Sequence, residues 1–138
     1  MAAAEWVNSG EKFRNSTRKA QKVLADGIRK KISFARLHGP EVGDSRSPAH
    51  LAFSFAGLEA ESLALVLDRV GLAARGGSGC VTKEMRIPPA MRAIGAKPEE
   101  ARALILFTLG TETEVEKMSL ASDRVKEAVA RLTKALSS

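Results

Sequence analysis

The sequence predicts an α+β fold with two layers: a short, largely antiparallel sheet, helices on one face of it, and long N- and C-terminal helices. Three observations support this class. Apolar residues recur every three or four positions near both ends of the chain, "HLAFSF" at 50–55 alternates, and "LILFTLG" at 104–110 is a short apolar run that follows a helical segment. With 138 residues, 44% of them hydrophobic, the chain is predicted to form a single domain, 1–138, with its own core.

The first third of the chain reads as helix, strand and loop. The helix is predicted from about Ser9 to Ile32, where lysines and arginines separate the apolar positions. A short strand is predicted at Phe34–Leu37, and "HGP" at 38–40 then stops the segment. The polar stretch Glu41–His50 contains glycine and proline and is therefore predicted to be a loop.

The middle of the chain contains the best strand signal. In "HLAFSF", Leu51, Phe53 and Phe55 share one face. "EAESLALVLDRVG" predicts a short helix ending at Gly71. The apolar residues assigned to that helix are Leu63, Leu65, Val66 and Val70.

Two short helical turns, a strand and a long helix are predicted in the last third. The turns lie in "PPAMRAIG" and in "KPEEARA", where Pro98 suits the first helical position. The strand is Leu104–Gly110. Thr113 and Glu116 have capping-box spacing for the last helix, which runs to the end of the chain.

The formal net charge of +6 is concentrated in the first helix. Nine lysines and arginines between Lys12 and Arg36 face one acid, Asp26. The sequence favours a solvated helix face over a nucleic-acid surface, since there is neither zinc-finger spacing nor an aromatic-rich strand of the RNP type. Nucleic acid is therefore the disfavoured partner.

The single cysteine excludes an intramolecular disulfide and favours a reducing compartment. The first residues lack the pattern of a signal peptide, and no apolar run has the length of a membrane span. A cytoplasmic protein without membrane partners is expected. His38 and His50 form no zinc spacing with Cys80, so no metal site is predicted. A Cys–His pair stays open, although a loop or strand-edge role is favoured for either histidine.

Cys80 follows a cluster of glycines in "AARGGSGCVTKE". A thiol that must reach a reaction partner benefits from a mobile tether of small residues, whereas an incidental cysteine does not need one. Arg75 and Lys83 are close in sequence and would raise the thiolate fraction. The residues predicted to form the mobile loop are Gly76, Gly77, Ser78 and Gly79.

The order of these segments resembles the C-terminal small domain of the NifS/IscS-type cysteine desulfurases, a class V aminotransferase-like, PLP-dependent family. "FSFAGLEAESLALVLDRVGLAARGGSGC" at 53–80 is similar to the family's "FSFEGVEGESLLLALDLAGIAVSSGSAC". "MRAIGAKPEEARALILFTLG" at 91–110 is similar to "LRAMGLSPEEARGSIRFSLG". The resemblance covers roughly residues 48–136.

This resemblance implies a role in sulfur transfer. In the family, the loop cysteine attacks the sulfur of a cysteine substrate held on pyridoxal phosphate (PLP). It becomes a persulfide and passes the sulfur to an iron–sulfur scaffold or another acceptor. Cys80 falls on that nucleophile, and Gly77, Ser78 and Gly79 fall on its tether.

Two departures from the family qualify that implication. The chain aligns only with the final portion of the family, so the PLP-binding large domain and its cofactor lysine have no counterpart here. PLP is therefore expected only from a partner. Leu106 stands where the family has the arginine for the substrate carboxylate, and Thr111 replaces the next arginine.

The sequence thus leaves catalysis by this chain open between two hypotheses. In the first, Cys80 accepts persulfide sulfur and the chain acts only with a PLP-bearing partner. In the second, the chain is a non-catalytic module that docks on a desulfurase or an iron–sulfur assembly protein. A remnant of a truncated gene is a third alternative.

Overall fold

The computed structural model describes residues 3–77 and 87–138, with side chains from residue 10 onward. The elements in this part of the chain are α1 (Ala3–Lys31), β1 (Ala35–Leu37), β2 (His50–Phe55), α2 (Ala60–Arg69), β3 (Arg75–Gly76), α3 (Pro89–Ala93), α4 (Pro98–Arg102), β4 (Leu104–Thr108), a 3₁₀ turn (Val115–Lys117) and α5 (Met118–Leu136). They alternate helices with short strands, as expected of an α+β fold.

The strands form a sheet in the order β1-β2-β4-β3, and each neighbouring pair is antiparallel. The central pair aligns His50 with Thr108 and Ser54 with Leu104. At one edge Leu37 faces Phe53, and at the other edge Arg75 faces Leu106. The predicted α+β class and largely antiparallel sheet are confirmed.

The main core lies between one face of the sheet and the three longer helices. Leu51, Phe53 and Phe55 of β2 have no exposed area, as their alternation predicted. Ile105 and Phe107 of β4 extend the same apolar face. The helical residues packed in this core include Ala20, Leu24, Ile28, Leu63, Leu67, Val125 and Val129.

A smaller apolar cluster covers the opposite face of the sheet, which we call the second face. Ala52, Met91, Ala96 and Leu104 are its buried members. Ser54 is also buried, so β2 is covered on both sides, which suits a central strand. The short helices α3 and α4 stand beside this face.

The second helix ends as predicted, and one of its apolar residues faces solvent. Gly71 follows α2 with a positive φ of 75°, a conformation that glycine adopts without strain. Leu65, however, is 67% exposed. Leu63 and Leu67, one turn apart, face the core, and this places the position between them toward solvent.

Other details also differ: β1 begins at Ala35 and not at Phe34, and β4 ends at Thr108 and not at Gly110. α1 begins at Ala3, before the expected Ser9. β3 lies in a stretch that was predicted to be loop. The predicted capping box at Thr113 and Glu116 is wrong, because the 3₁₀ turn precedes α5 and Lys117 is the N-cap residue of α5, without a side-chain cap bond.

Candidate functional site

The glycines that lead toward Cys80 begin as part of the sheet. Gly76 lies in β3, paired with Ile105, where the sequence predicted a loop. The Gly77 N–H donates to the Leu104 carbonyl over 2.7 Å. A Cβ on Gly77 would stand 2.3 Å from Leu104 Cδ2, so the close approach requires glycine. These two residues are therefore held at the edge of the sheet, immediately before residue 78.

Ser78, Gly79, Cys80 and Lys83 fall within 78–86, outside the described residues. Their proposed roles stay predictions. The structure does show where this segment is attached. It follows Gly77, which is bonded to β4, and it precedes Ile87, which packs against the apolar cluster of the second face.

Leu106 occupies the middle of β4, with a neighbour on each side. Its register partners are Ala52 in β2 and Arg75 in β3. The side chain is half-buried and packs against the cluster of the second face. A leucine side chain has no hydrogen-bond donor, so position 106 itself does not bind a carboxylate.

Arg75 lies on the second face beside Leu106. Residues directly opposite each other in an antiparallel pair share a face, and successive residues of a strand point to opposite faces. The next residue, Gly76, has its Cβ direction toward Ala60 of α2, on the main-core side. Sequence reasoning connected Arg75 only with the thiol, because a two-residue strand has no pattern from which its register could be read.

The acidic side chain next to the second face, Glu100, is already engaged. It forms an ion pair with Arg36 of β1 and accepts a hydrogen bond from the Lys97 backbone N–H over 2.8 Å. That backbone bond holds the pKa of Glu100 below its usual value against the opposing effect of burial, and the charge of Arg36 lowers the pKa further. Glu100 is therefore an anion.

His38 is a buried structural residue that follows β1. Its Nε2 shares a 2.8 Å hydrogen bond with Ser54 Oγ. Burial lowers the pKa of His38, and Arg36 and Arg46 lower it further while Glu100 raises it. His50 is the exposed first residue of β2, and burial followed by the charge of Arg46 lowers its pKa. The predicted strand-edge position is thus found at His50, and His38 adjoins a strand as well.

Arg46 is a buried cation that fastens the 38–50 loop. Its guanidinium donates to the carbonyls of Pro40, over 2.6 Å, of His38, and of His50, over 3.4 Å. Gln21 of α1 donates to the His50 carbonyl as well, over 2.9 Å. The polar loop predicted at 41–50 is therefore held by Arg46 from within the loop and by Gln21 from α1.

Several basic residues of α1 form ion pairs with acids outside the helix. Arg29 pairs with Glu41 at 2.8 Å, and Lys31 pairs with Asp123 of α5 at 2.7 Å. The bond from Arg29 holds the pKa of Glu41 below its usual value. Such partners on the helix surface are what a solvated basic face would form.

The groove that described residues form between α1 and the 3₁₀ turn does not fit PLP. A groove of about 640 Å³ lies between α1 and the 3₁₀ turn, and it is lined by Glu11, Lys12, Asn15, Ser16, Lys19, Val115 and Glu116. Two lysines line it, but its lining includes no ring to stack on a pyridine and no histidine, and it is open to solvent. PLP chemistry needs a positioned lysine and a partner for the ring nitrogen.

The family comparison agrees with the fold. A family model described as aminotransferase class-V matches residues 1–130. This chain belongs to the class-V aminotransferase family. Within that family it is a segment of the NifS/IscS type, and the resemblance seen in the sequence is confirmed.

Curated relatives are named as cysteine desulfurases. The IscS of Pseudomonas aeruginosa (strain LESB58) is 33% identical over 142 residues, covering 96% of this chain and 34% of that protein. The IscS of Vibrio vulnificus (strain YJ016) is 36% identical over 109 residues, covering 79% and 26%. That of Dictyoglomus turgidum is 33% identical over 105 residues, covering 76% and 26%. The chain thus spans about a quarter to a third of these relatives.

A solved structure gives the same fold. A protein described as NifS-like superposes with a TM-score of 0.73 over 91% of this chain and 30% of its own, at 17% identity. This likeness concerns the fold alone. None of the helices at 3–77 and 87–138 has the length and hydropathy needed to cross a membrane.

Proposed function

We propose that this chain is a sulfur-transfer domain in which Cys80 receives sulfur from a cysteine substrate while a partner supplies PLP. The observation that carries the proposal is the family match over residues 1–130, a range that contains the single cysteine. The hydrogen bond from Gly77 to Leu104 supports it, because it holds Gly77, which is three residues before Cys80 in the sequence, on β4, the strand of Leu106, where the family has its carboxylate arginine.

The proposed transfer balances without a further reagent. The Cys80 thiolate attacks the substrate sulfur, and a new S–S bond forms while the substrate Cβ–S bond breaks. The bonding pair stays on the substrate carbon, which takes a proton. Cysteine and the Cys80 thiol thereby become alanine and a Cys80 persulfide, and the transferred sulfur is oxidised while the carbon is reduced.

PLP, when bound by the partner, supplies the electron sink that makes the Cβ–S bond breakable. The residues of this chain would provide the attacking thiol and its attachment to the sheet. A thiolate is the reactive form of cysteine, and a reducing cytoplasm would keep Cys80 free of competing disulfides.

The direct experiment is an intact-mass measurement. The protein is exposed to cysteine, PLP and an extract of its source cell, and Cys80→Ser is treated in parallel. A reducible gain of one sulfur atom on the wild type alone supports the proposal. An accessible thiol that gains no sulfur contradicts it.

A second function, a docking module for a desulfurase or an iron–sulfur assembly protein, is favoured by Leu106, which removes carboxylate recognition from its usual position. Docking predicts that Cys80→Ser leaves complex formation intact. Leu106→Arg separates the two functions further. Combined with Arg75→Ser, which removes the like charge directly opposite position 106, it should support cysteine turnover only where a cofactor site is assembled beside this chain, and an absence of turnover would favour docking.

A further inference from the structure

Arg75 is an exposed guanidinium at the edge of the sheet. It makes no hydrogen bond or ion pair from its side chain within residues 3–77 and 87–138. The acid next to this face, Glu100, is bound to Arg36 and to the Lys97 N–H instead. The Arg75 side chain is thus available to bind an anion that is not one of the described residues.

The position of Arg75 is defined by its register with Leu106. The two residues are direct partners in the β3–β4 pair. Cβ atoms of such partners stand about 5 Å apart on one face, and an arginine side chain is long enough to extend its guanidinium over the neighbouring residue. The floor beneath it is apolar, formed by Leu106 and, one strand further, Ala52.

The arginine of this cross-strand pair is on the opposite strand from the one in the family sequences quoted above. Those phrases have serine at the position of Arg75 and arginine at the position of Leu106, whereas this chain has the reverse distribution of charge. Arginines at both positions would be like charges directly opposite each other, which is destabilising. Both this chain and the family sequences therefore have one arginine at these two positions.

We propose that Arg75 binds the carboxylate of the amino-acid substrate, above Leu106 and from the neighbouring strand. The inference rests on the proposed function, which brings an amino acid to this face. The guanidinium fork donates two parallel hydrogen bonds to a carboxylate, a geometry that lysine lacks. The substrate class is thus an α-amino acid with a free carboxylate.

The test is an NMR titration of the ¹⁵N-labelled 138-residue chain with S-methyl-L-cysteine. Saturable shifts are expected at the Arg75 side chain and at the amides of 75–77 and 105–107. The methyl ester of the same compound lacks the carboxylate charge and should leave them in place. Arg75→Ser should weaken binding about tenfold or more, and Arg75→Lys by a smaller factor.

Two control variants test whether binding depends on an arginine at this cross-strand pair. Arg92→Ser removes an exposed arginine of α3 and should change nothing. The double variant Arg75→Ser with Leu106→Arg returns the guanidinium to β4 and should restore the binding lost in Arg75→Ser. The dispersion of each spectrum reports whether the variant is folded.

The proposal is overturned if the wild type shows no saturable shift, if a folded Arg75→Ser titrates like the wild type, or if inorganic phosphate is bound as well as S-methyl-L-cysteine. The titration involves neither PLP nor a transferable sulfur. Loss of carboxylate binding and loss of sulfur transfer are therefore separate results.

Discussion

Gly77 donates its backbone N–H to the Leu104 carbonyl at 2.7 Å and presents the side without a Cβ to the Leu104 side chain. Leu104 is itself buried in the cluster of the second face. A new methyl group would therefore have to displace a packed leucine or break the bond between residue 77 and β4. Glycine at this position is a packing requirement.

The first prediction concerns this contact. Gly77→Ala should destabilise the fold by about 1–3 kcal/mol, the usual cost of overpacking, and urea denaturation measures it. Gly43→Ala is the matched control, because nothing lies within 4 Å of the Cβ direction of Gly43. Equal midpoints for the two variants would show that the approach of Gly77 to Leu104 is not tight.

The register of β3 is also what sequence reasoning could not supply. The alternation at 50–55 and the apolar run at 104–110 predicted β2 and β4, because burial leaves a pattern in the sequence there. β3 consists of Arg75 and Gly76, too few residues for any period, and its pairing with Leu106 and Ile105 arises from tertiary contacts. The carboxylate site inferred at Arg75 depends on that register.

Helix periodicity predicted the long helices, but it did not predict the burial or exposure of every residue in the helices. Leu65 was listed among the apolar residues of α2, and it does lie in that helix, but the core is contacted at 63 and 67 and Leu65 faces solvent. His38 was read as a loop or strand-edge residue. Its burial accompanies the hydrogen bond to Ser54 and the bonds from Arg46 to the carbonyls of His38 and Pro40, which are tertiary contacts that a local sequence pattern does not indicate.

The second prediction concerns the contact between α1 and α5. A Cβ on Gly27 would stand 2.5 Å from Ser122 Oγ. That hydroxyl donates to the Ser119 carbonyl over 2.7 Å and accepts from Lys31 over 2.6 Å, so it has little freedom to move. Gly27→Ala should therefore lower the free energy of unfolding by about 1–3 kcal/mol.

Gly10 in the same helix provides the control for Gly27. Nothing lies within 4 Å of its Cβ direction. Gly10→Ala should therefore show only the gain in helix propensity, about 1 kcal/mol in favour of the folded state. Opposite signs in thermal or urea denaturation are expected for the two variants. If both variants stabilised the protein, α1 and α5 could move apart at Gly27 without a loss of folding free energy.

The third prediction concerns the buried cation of the 38–50 loop. Arg46→Met keeps much of the side-chain volume but removes the donors to the carbonyls of His38 and Pro40. We expect a loss of about 2–3 kcal/mol, because buried acceptors are left without partners. Arg36→Met is the control. Arg36 forms an exposed ion pair with Glu100, and its loss should cost under about 1 kcal/mol. A comparable loss from both variants in urea denaturation would contradict the structural role of Arg46.

The fourth prediction is a loss of stability between pH 7 and pH 5. Burial lowers the pKa of both His38 and His50 from the usual 6.5. The unfolded chain therefore takes up protons at a higher pH than the folded protein. The histidine contribution to the free energy of unfolding is complete above pH 6.5 and falls as the pH decreases through 6.5 toward the lowered values.

Carboxylates with lowered pKa values, Glu41 and Glu100, titrate below 4.5 in the folded protein and are ionised through most of that window. His38→Gln removes one titrating group while an amide can still hydrogen-bond to Ser54. Urea denaturation of this variant at pH 7, 6 and 5 should show a smaller loss than that of the wild type. The same dependence on pH in both proteins would exclude His38 as a source of the acid sensitivity, and His50→Gln would then be expected to remove it.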